Sequence, residues 1–243
     1  DQGNTIAKAT INAAVDFSAA GVNDTFANML NGNAVHASLT QIVTKDSDVN
    51  IVISDAIENA TAANIIQLNA IGNTTSGSVT ATIDGNAAEL DDLTANGSQS
   101  ATCVYTITVD DAATVTQGKA VVDATSVATV DFSAAGLTGA LATYIAATGN
   151  GIHASLTDIK NKDGDINIVV TPTVADITAN QVTQINNIAA ATTGTVTASI
   201  DGNAAELDDL SANGTSATCA FTIVVDDAIT VAQGKTIVDA TSI

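Results

Sequence analysis

The chain repeats itself. Val15-Asp16-Phe17-Ser18-Ala19-Ala20-Gly21 returns as Val130-Asp131-Phe132-Ser133-Ala134-Ala135-Gly136, and His36-Ala37-Ser38-Leu39-Thr40 returns as His153-Ala154-Ser155-Leu156-Thr157. Ile83-Asp84-Gly85-Asn86-Ala87-Ala88-Glu89-Leu90-Asp91-Asp92-Leu93 recurs intact at 200–210. One module of about 115 residues is thus written twice, dividing the chain at 1–115 and 116–243. A chain built this way either stacks its repeats or folds as two tandem domains.

Within each copy, alternating β-branched runs predict strands at 13–17, 49–54, 78–83 and 103–109, with a short one near 35–39. Helix-like stretches follow at 22–31, 60–72, 86–95 and 114–124, and Ile65, Leu68 and Ile71 share one helical face. Strand and helix alternate in units averaging about 29 residues, which implies parallel pairing through crossovers. The expected fold class is α/β: a parallel-sheet α/β solenoid with one layer of short helices. Two tandem compact α/β domains are the alternative.

Gln2-Gly3-Asn4-Thr5-Ile6-Ala7-Lys8-Ala9-Thr10 resembles both Gln117–Thr125 and Gln233–Thr241. The chain therefore opens and closes at the same phase of its repeat, with no distinct polar cap at either end. Open repeat faces without caps are expected to meet another copy. Because the boundary segment stands at both ends, one copy of it must pack beside the other or replace it.

The net charge is −20, from 26 acidic residues against six Lys and no Arg. Such a field repels nucleic acid and anionic membranes. No apolar run is long enough to span a bilayer. Hydrophobic residues make up 46% but aromatics only 2%, so the core is one of small side chains in thin layers, without the varied residues that shape an enzyme pocket. Acidity, few Lys and abundant Thr, Ser and Asn suit a secreted protein.

Units such as Ser78-Val79-Thr80-Ala81-Thr82-Ile83-Asp84-Gly85-Asn86-Ala87-Ala88-Glu89-Leu90 resemble the Ala/Thr/Asp-rich tandem repeats of very large secreted surface proteins of aquatic bacteria, cyanobacteria included. The resemblance covers essentially the whole chain and implies a cell-surface, sheath, filament or adhesin role, often with calcium. The glycine-rich nonapeptide that binds calcium in RTX proteins is absent, so calcium does not carry over through that motif.

The candidate metal ligands are Asp46, Asp48 and Asn50, matched by Asp163, Asp165 and Asn167. Oxygen ligands at alternating positions begin a calcium loop, though the Gly and bidentate Glu of the full EF-hand pattern are missing. The competing reading is a solvated turn leading into a strand. Asp110-Asp111 and Asp226-Asp227, placed before helices, read as N-caps. Cys103 and Cys219 sit on the apolar side of their strands and read as buried free thiols. His36 and His153 belong to the repeat unit and have no triad partner nearby. Thr-x-Thr pairs such as Thr80/Thr82 do not continue through every unit, which argues against a flat water-ordering rank.

The expectation is a non-enzymatic structural subunit of an extracellular filament, sheath or surface layer, self-assembling head to tail. The alternative is a calcium-stabilised segment of a large adhesin contacting carbohydrate or another cell.

Overall fold

A computed structural model of the chain describes residues 2, 5, 15–17, 21–94, 101–126, 129–132, 135–211 and 216–242. Most of the terminal echo at 2–10, residues 13–14 of the first expected strand and residue 95 of the expected helix 86–95 lie outside the described residues. Two compact units emerge, Asp1–Val109 with Ala120–Val130, and Asp110–Lys119 with Asp131–Ile243.

The first unit runs through β1 (Val22–Asp24), β2 (Leu30–Asn31), β3 (Ala34–Val35), α1 (Ala37–Lys45), β4 (Ile51–Ile53), β5 (Ile57–Ala60), α2 (Ala62–Gly72), β6 (Ser78–Gly85), α3 (Ala87–Leu90) and β7 (Thr102–Val109). Helix α4 (Val115–Asp123) and strand β8 (Val130–Asp131) are divided between the units. The sheet order is β1-β4-β6-β7-β8, with β5 also on β6. Each stretch from one strand to the next is called a rung below.

Pairing in this sheet is parallel, with a register shift between Ile57 and Ala60 where β5 meets β6, and β2 and β3 form a separate antiparallel pair. Val22 stands opposite Ile51, Ile51 opposite Val79, and Val79 opposite Cys103. Ile51, Val79 and Cys103 are buried, as are Ala81 opposite Tyr105 and Ile83 opposite Ile107. The small Ala81 leaves room for the ring of Tyr105, so a thin layer still packs densely. Period-two alternation turns Thr82 and Thr106 outward, where they are exposed. Helix α2 buries Ile65, Leu68 and Ile71 and leaves Ile66 65% exposed. Each fully buried Ile or Leu contributes about 1.5–3 kcal/mol.

The second unit comprises β9 (Leu137–Gly139), α5 (Ala154–Lys160), β10 (Ile168–Val174), α6 (Ala179–Ala191), β11 (Thr195–Gly202), α7 (Ala204–Leu207), β12 (Thr218–Val225) and α8 (Val231–Asp239). Its sheet order is β12-β11-β10-β9, all parallel. The rank recurs as Leu137, Ile168, Val196 and Cys219, with Ala198 opposite Phe221. Where the first unit has β4 and β5, the second has one strand with a register shift between Val170 and Val174. The protein is thus a mixed α/β structure of parallel sheets alternating with helices, with no closed barrel among the described residues.

Several expected elements differ. The stretch 22–31, expected as helix, is β1, a 3-10 turn at Ala27–Met29 and β2. The Asp24 carboxylate accepts from Thr25 N (2.9 Å) and Asn28 Nδ2 (2.7 Å), closing a turn while Val22 joins the sheet. Residues 35–39, expected as a strand, hold the end of β3 and the start of α1, because Leu39 and Ile42 bury a helical face. The helix expected at 86–95 spans only Ala87–Leu90. Val15–Phe17 are not in a strand. Cys103 and Cys219 are buried free thiols.

Candidate functional site

The acidic turn lies between α1 and β4, and again between α5 and β10. Its geometry follows from a glycine. Gly21 and Gly136 have φ of +63° and +59°, and a Cβ on either would run into the carbonyl of Asn50 or Asn167. That close approach lets Val22 N donate to Asn50 O (2.7 Å) and Leu137 N to Asn167 O (2.8 Å). The side chains of these asparagines face the following strand. Asn50 Oδ1 accepts from Ser78 N (2.9 Å) and Ser78 Oγ (2.7 Å), and Asn167 Oδ1 accepts from Thr195 N (2.8 Å).

The aspartates divide by exposure. Asp46 is buried and accepts from Phe17 N through Oδ2 (2.6 Å); Asp163 accepts from Phe132 N (2.9 Å). Asp48 and Asp165 are exposed. Burial pushes the Asp163 carboxyl up to about 6, against the Phe132 hydrogen bond and helped by Asp165 and Asp131. Asp46 is raised for the same reasons, with Asp48 and Asp16 as its neighbours.

The structure therefore brings Asp46 to Asp48 and Asp163 to Asp165. It adds Asp16 and Asp131, which sequence reasoning recorded only as part of a repeated motif. It commits the Asn50 and Asn167 side-chain oxygens to backbone donors. Among the described residues no three His, Cys, Asp or Glu side chains gather so as to hold an ion.

Asp226-Asp227 do not cap the helix that follows them. Thr230 does so, reciprocally with Gln233, and Thr114 bonds Gln117 in the same way. Thr61 with Asn64 and Thr178 with Gln181 complete the pattern, a Thr-x-x-Asn/Gln capping box that was readable in the sequence and missed. Asp227 instead accepts from Ala204 N (2.8 Å), capping α7 of the preceding rung, just as Asp55 accepts from Phe26 N (2.7 Å). Asp226 is raised by desolvation and by Asp201, with Asp176 and Asp227 adding to it. The two histidines are caps as well: His36 Nδ1 accepts from Ser38 N (3.2 Å) and His153 Nδ1 from Ser155 N (3.1 Å).

A second feature is apolar. Of the five exposed large hydrophobic side chains among the described residues, Ile66 lies on α2, Val224 on β12, and three lie on α8 or just before it: Ile229, Val231 and Val238. Ile229 is 49% exposed, Val238 68% and Val231 94%. The same module in mid-chain places Ala113, Val115 and Val122 at the last three of these positions, and all three are buried. Ile237 and Ala240, on the opposite side of α8, are buried like Val121 and Ala124. One face of the helix is packed and the other stands open.

No helix among the described residues is long and apolar enough to cross a membrane. No protein-family model, curated protein or solved structure matches the chain.

Proposed function

We propose that the protein is a non-enzymatic structural subunit of an extracellular filament, sheath or surface layer, a parallel α/β solenoid that associates through exposed repeat faces. One observation carries this reading: the α8 face exposes Ile229, Val231 and Val238, whose mid-chain counterparts are buried. An apolar cluster of that kind marks an interaction surface. A module that recurs in one chain is suited to propagate through heterologous contacts that do not close. The acidic composition and the likeness to secreted surface repeats support the extracellular setting. Electron microscopy of the purified chain at rising concentration and salt is expected to show rods that lengthen or sheets. Single particles of one length under every condition overturn the proposal.

A second reading, a calcium-stabilised adhesin segment, is favoured by the repeated carboxylate clusters. Burial, with Asp165 and Asp131 adding to it, opposes the ionisation of Asp163, and a divalent cation would favour the charged form. Asp46 with Asp48 and Asp163 with Asp165 are the ligands in this reading. Calcium is expected to raise the melting temperature at pH 7 and chelator to lower it. Equal melting in both rejects the metal.

A further inference from the structure

Resting on the adhesin-segment reading and deepening it, we propose that a groove in the second unit binds a neutral oligosaccharide. Two cavities adjoin there. One, of about 420 Å³, is lined by Val115, Thr116, Thr138, His153 and Ser155. The other, of about 330 Å³, is lined by Leu141, Gln181 and Gln184. Ala142, Ile145 and Ala147 line both, so the two meet along one wall. All of these residues belong to the second unit, and each cavity is of the size that takes a small ligand.

The shared wall is bonded in place. Ile145 bridges Ile152 in antiparallel sense, Ala146 N donates to Gly151 O (2.8 Å) and His153 N to Tyr144 O (2.7 Å). Helix α6 braces the tip of this hairpin: Asn187 Nδ2 donates to Asn150 O (2.8 Å) and Gln184 Nε2 to Asn150 Oδ1 (3.3 Å). A groove whose wall is already ordered loses little conformational entropy on being filled.

The lining selects the ligand. In a chain of charge −20, no Asp, Glu or Lys lines either cavity among the described residues. The counterpart cavity of the first copy carries the Asp24 carboxylate, where the second copy has Gly139. A cationic ligand would gain from such a carboxylate, and the net charge repels an anionic one, so the groove suits a neutral ligand. The hydroxyls of Thr116, Thr138 and Ser155 and the amides of Gln181 and Gln184 can both donate and accept, as sugar hydroxyls do. His153 Nδ1 accepts from Ser155 N (3.1 Å), which puts the proton of the neutral ring on Nε2. Ala142 and Ala147 are exposed and offer apolar surface to the C–H faces of sugar rings. A peptide adding as a strand finds the edge of β9 taken, because Ala113 N donates to Gly136 O (3.0 Å) and Thr138 N to Ala113 O (2.8 Å).

The test is an NMR titration of the isotope-labelled full chain with cellohexaose, maltohexaose and chitohexaose, and with an oligogalacturonate as the anionic control. A neutral hexasaccharide is expected to shift the Thr138, Ser155 and Gln184 amide signals saturably, and the oligogalacturonate to shift none. Ala142→Trp fills the space that both cavities share and is expected to weaken binding about tenfold or more. Ala142 is exposed, so the variant is expected to keep the fold, checked by circular dichroism. Ala27→Trp, at the matching position of the first copy, is expected to leave binding unchanged. Saturable shifts that ignore Ala142→Trp, or that Ala27→Trp weakens equally, overturn the placement. Shifts with an alanine- and threonine-rich peptide and with none of the sugars overturn the ligand class, and no shift with any probe overturns the site. The adhesin-segment reading fails separately, on the melting temperature with calcium and chelator.

Discussion

Asp163 is held in place by a backbone donor, while burial, with Asp165 and Asp131 adding to it, opposes its ionisation. Its folded-state value of about 6 lies above the usual carboxylate range. The folded protein therefore binds a proton more tightly than the unfolded chain does, so stability is greatest at low pH within this window. It falls as pH rises from about 4 through about 6. Asp163→Asn keeps an oxygen to accept from Phe132 N and carries no charge. Thermal melts from pH 4 to 8 are expected to show a flatter profile for this variant and a higher melting temperature at pH 7. An unchanged slope would place the pH dependence elsewhere. Threonine acts at the same scale. Thr75 and Thr192 are buried, and each donates through Oγ1 to a backbone carbonyl just before a strand, Val49 O (2.7 Å) and Ile166 O (2.7 Å). Each also accepts a glycine N–H, from Gly77 or Gly194 (both 2.9 Å).

Among the elements, β6 and β7 were the most legible. Their buried positions alternate strictly, and alternation survives any change of neighbours. Ile83, buried and opposite Ile107, is expected to cost about 2–5 kcal/mol on truncation to Ala. Ile66 on α2 is expected to cost under about 0.5 kcal/mol. Urea titrations of the two variants separate them, and equal losses would contradict the facing of α2. The stretch 22–31 was illegible for a physical reason: β1 owes its strand state to Ile51–Ile53, a partner 29 residues away that no local window contains. The acidic turn was legible as a place and not as a geometry. Spacing marked Asp46, Asp48 and Asn50, but the donors that turn Asn50 away come from Ser78, in the next rung. Caps supplied by Asp55 and Asp227 were hidden for the same reason. The open α8 face needed the comparison of exposure with its mid-chain counterpart, which the near-identical sequences could not supply.

For the molecule as a whole, a charge of −20 opposes any meeting of two copies. The proposed contact is apolar, so salt acts on the repulsion and spares the attraction. Screening over about 8 Å at physiological ionic strength sets the sign: association is expected to strengthen as salt rises. Light scattering that falls with added salt would mean that ion pairs, and not Ile229 and Val231, hold the copies together.

Asp55 caps a turn that comes before it in the chain, and Asp227 does the same for α7. Thr125 closes β7 and Thr241 closes β12, each through both the N–H and the carbonyl of one ring-bearing residue. In each of these contacts a later segment completes the hydrogen bonding of an earlier one. Removing the later segment would leave donors in the earlier one, such as Phe26 N and Ala204 N, without the carboxylate that meets them. A cut therefore weakens an element that lies before it in the chain, and not only the segment removed.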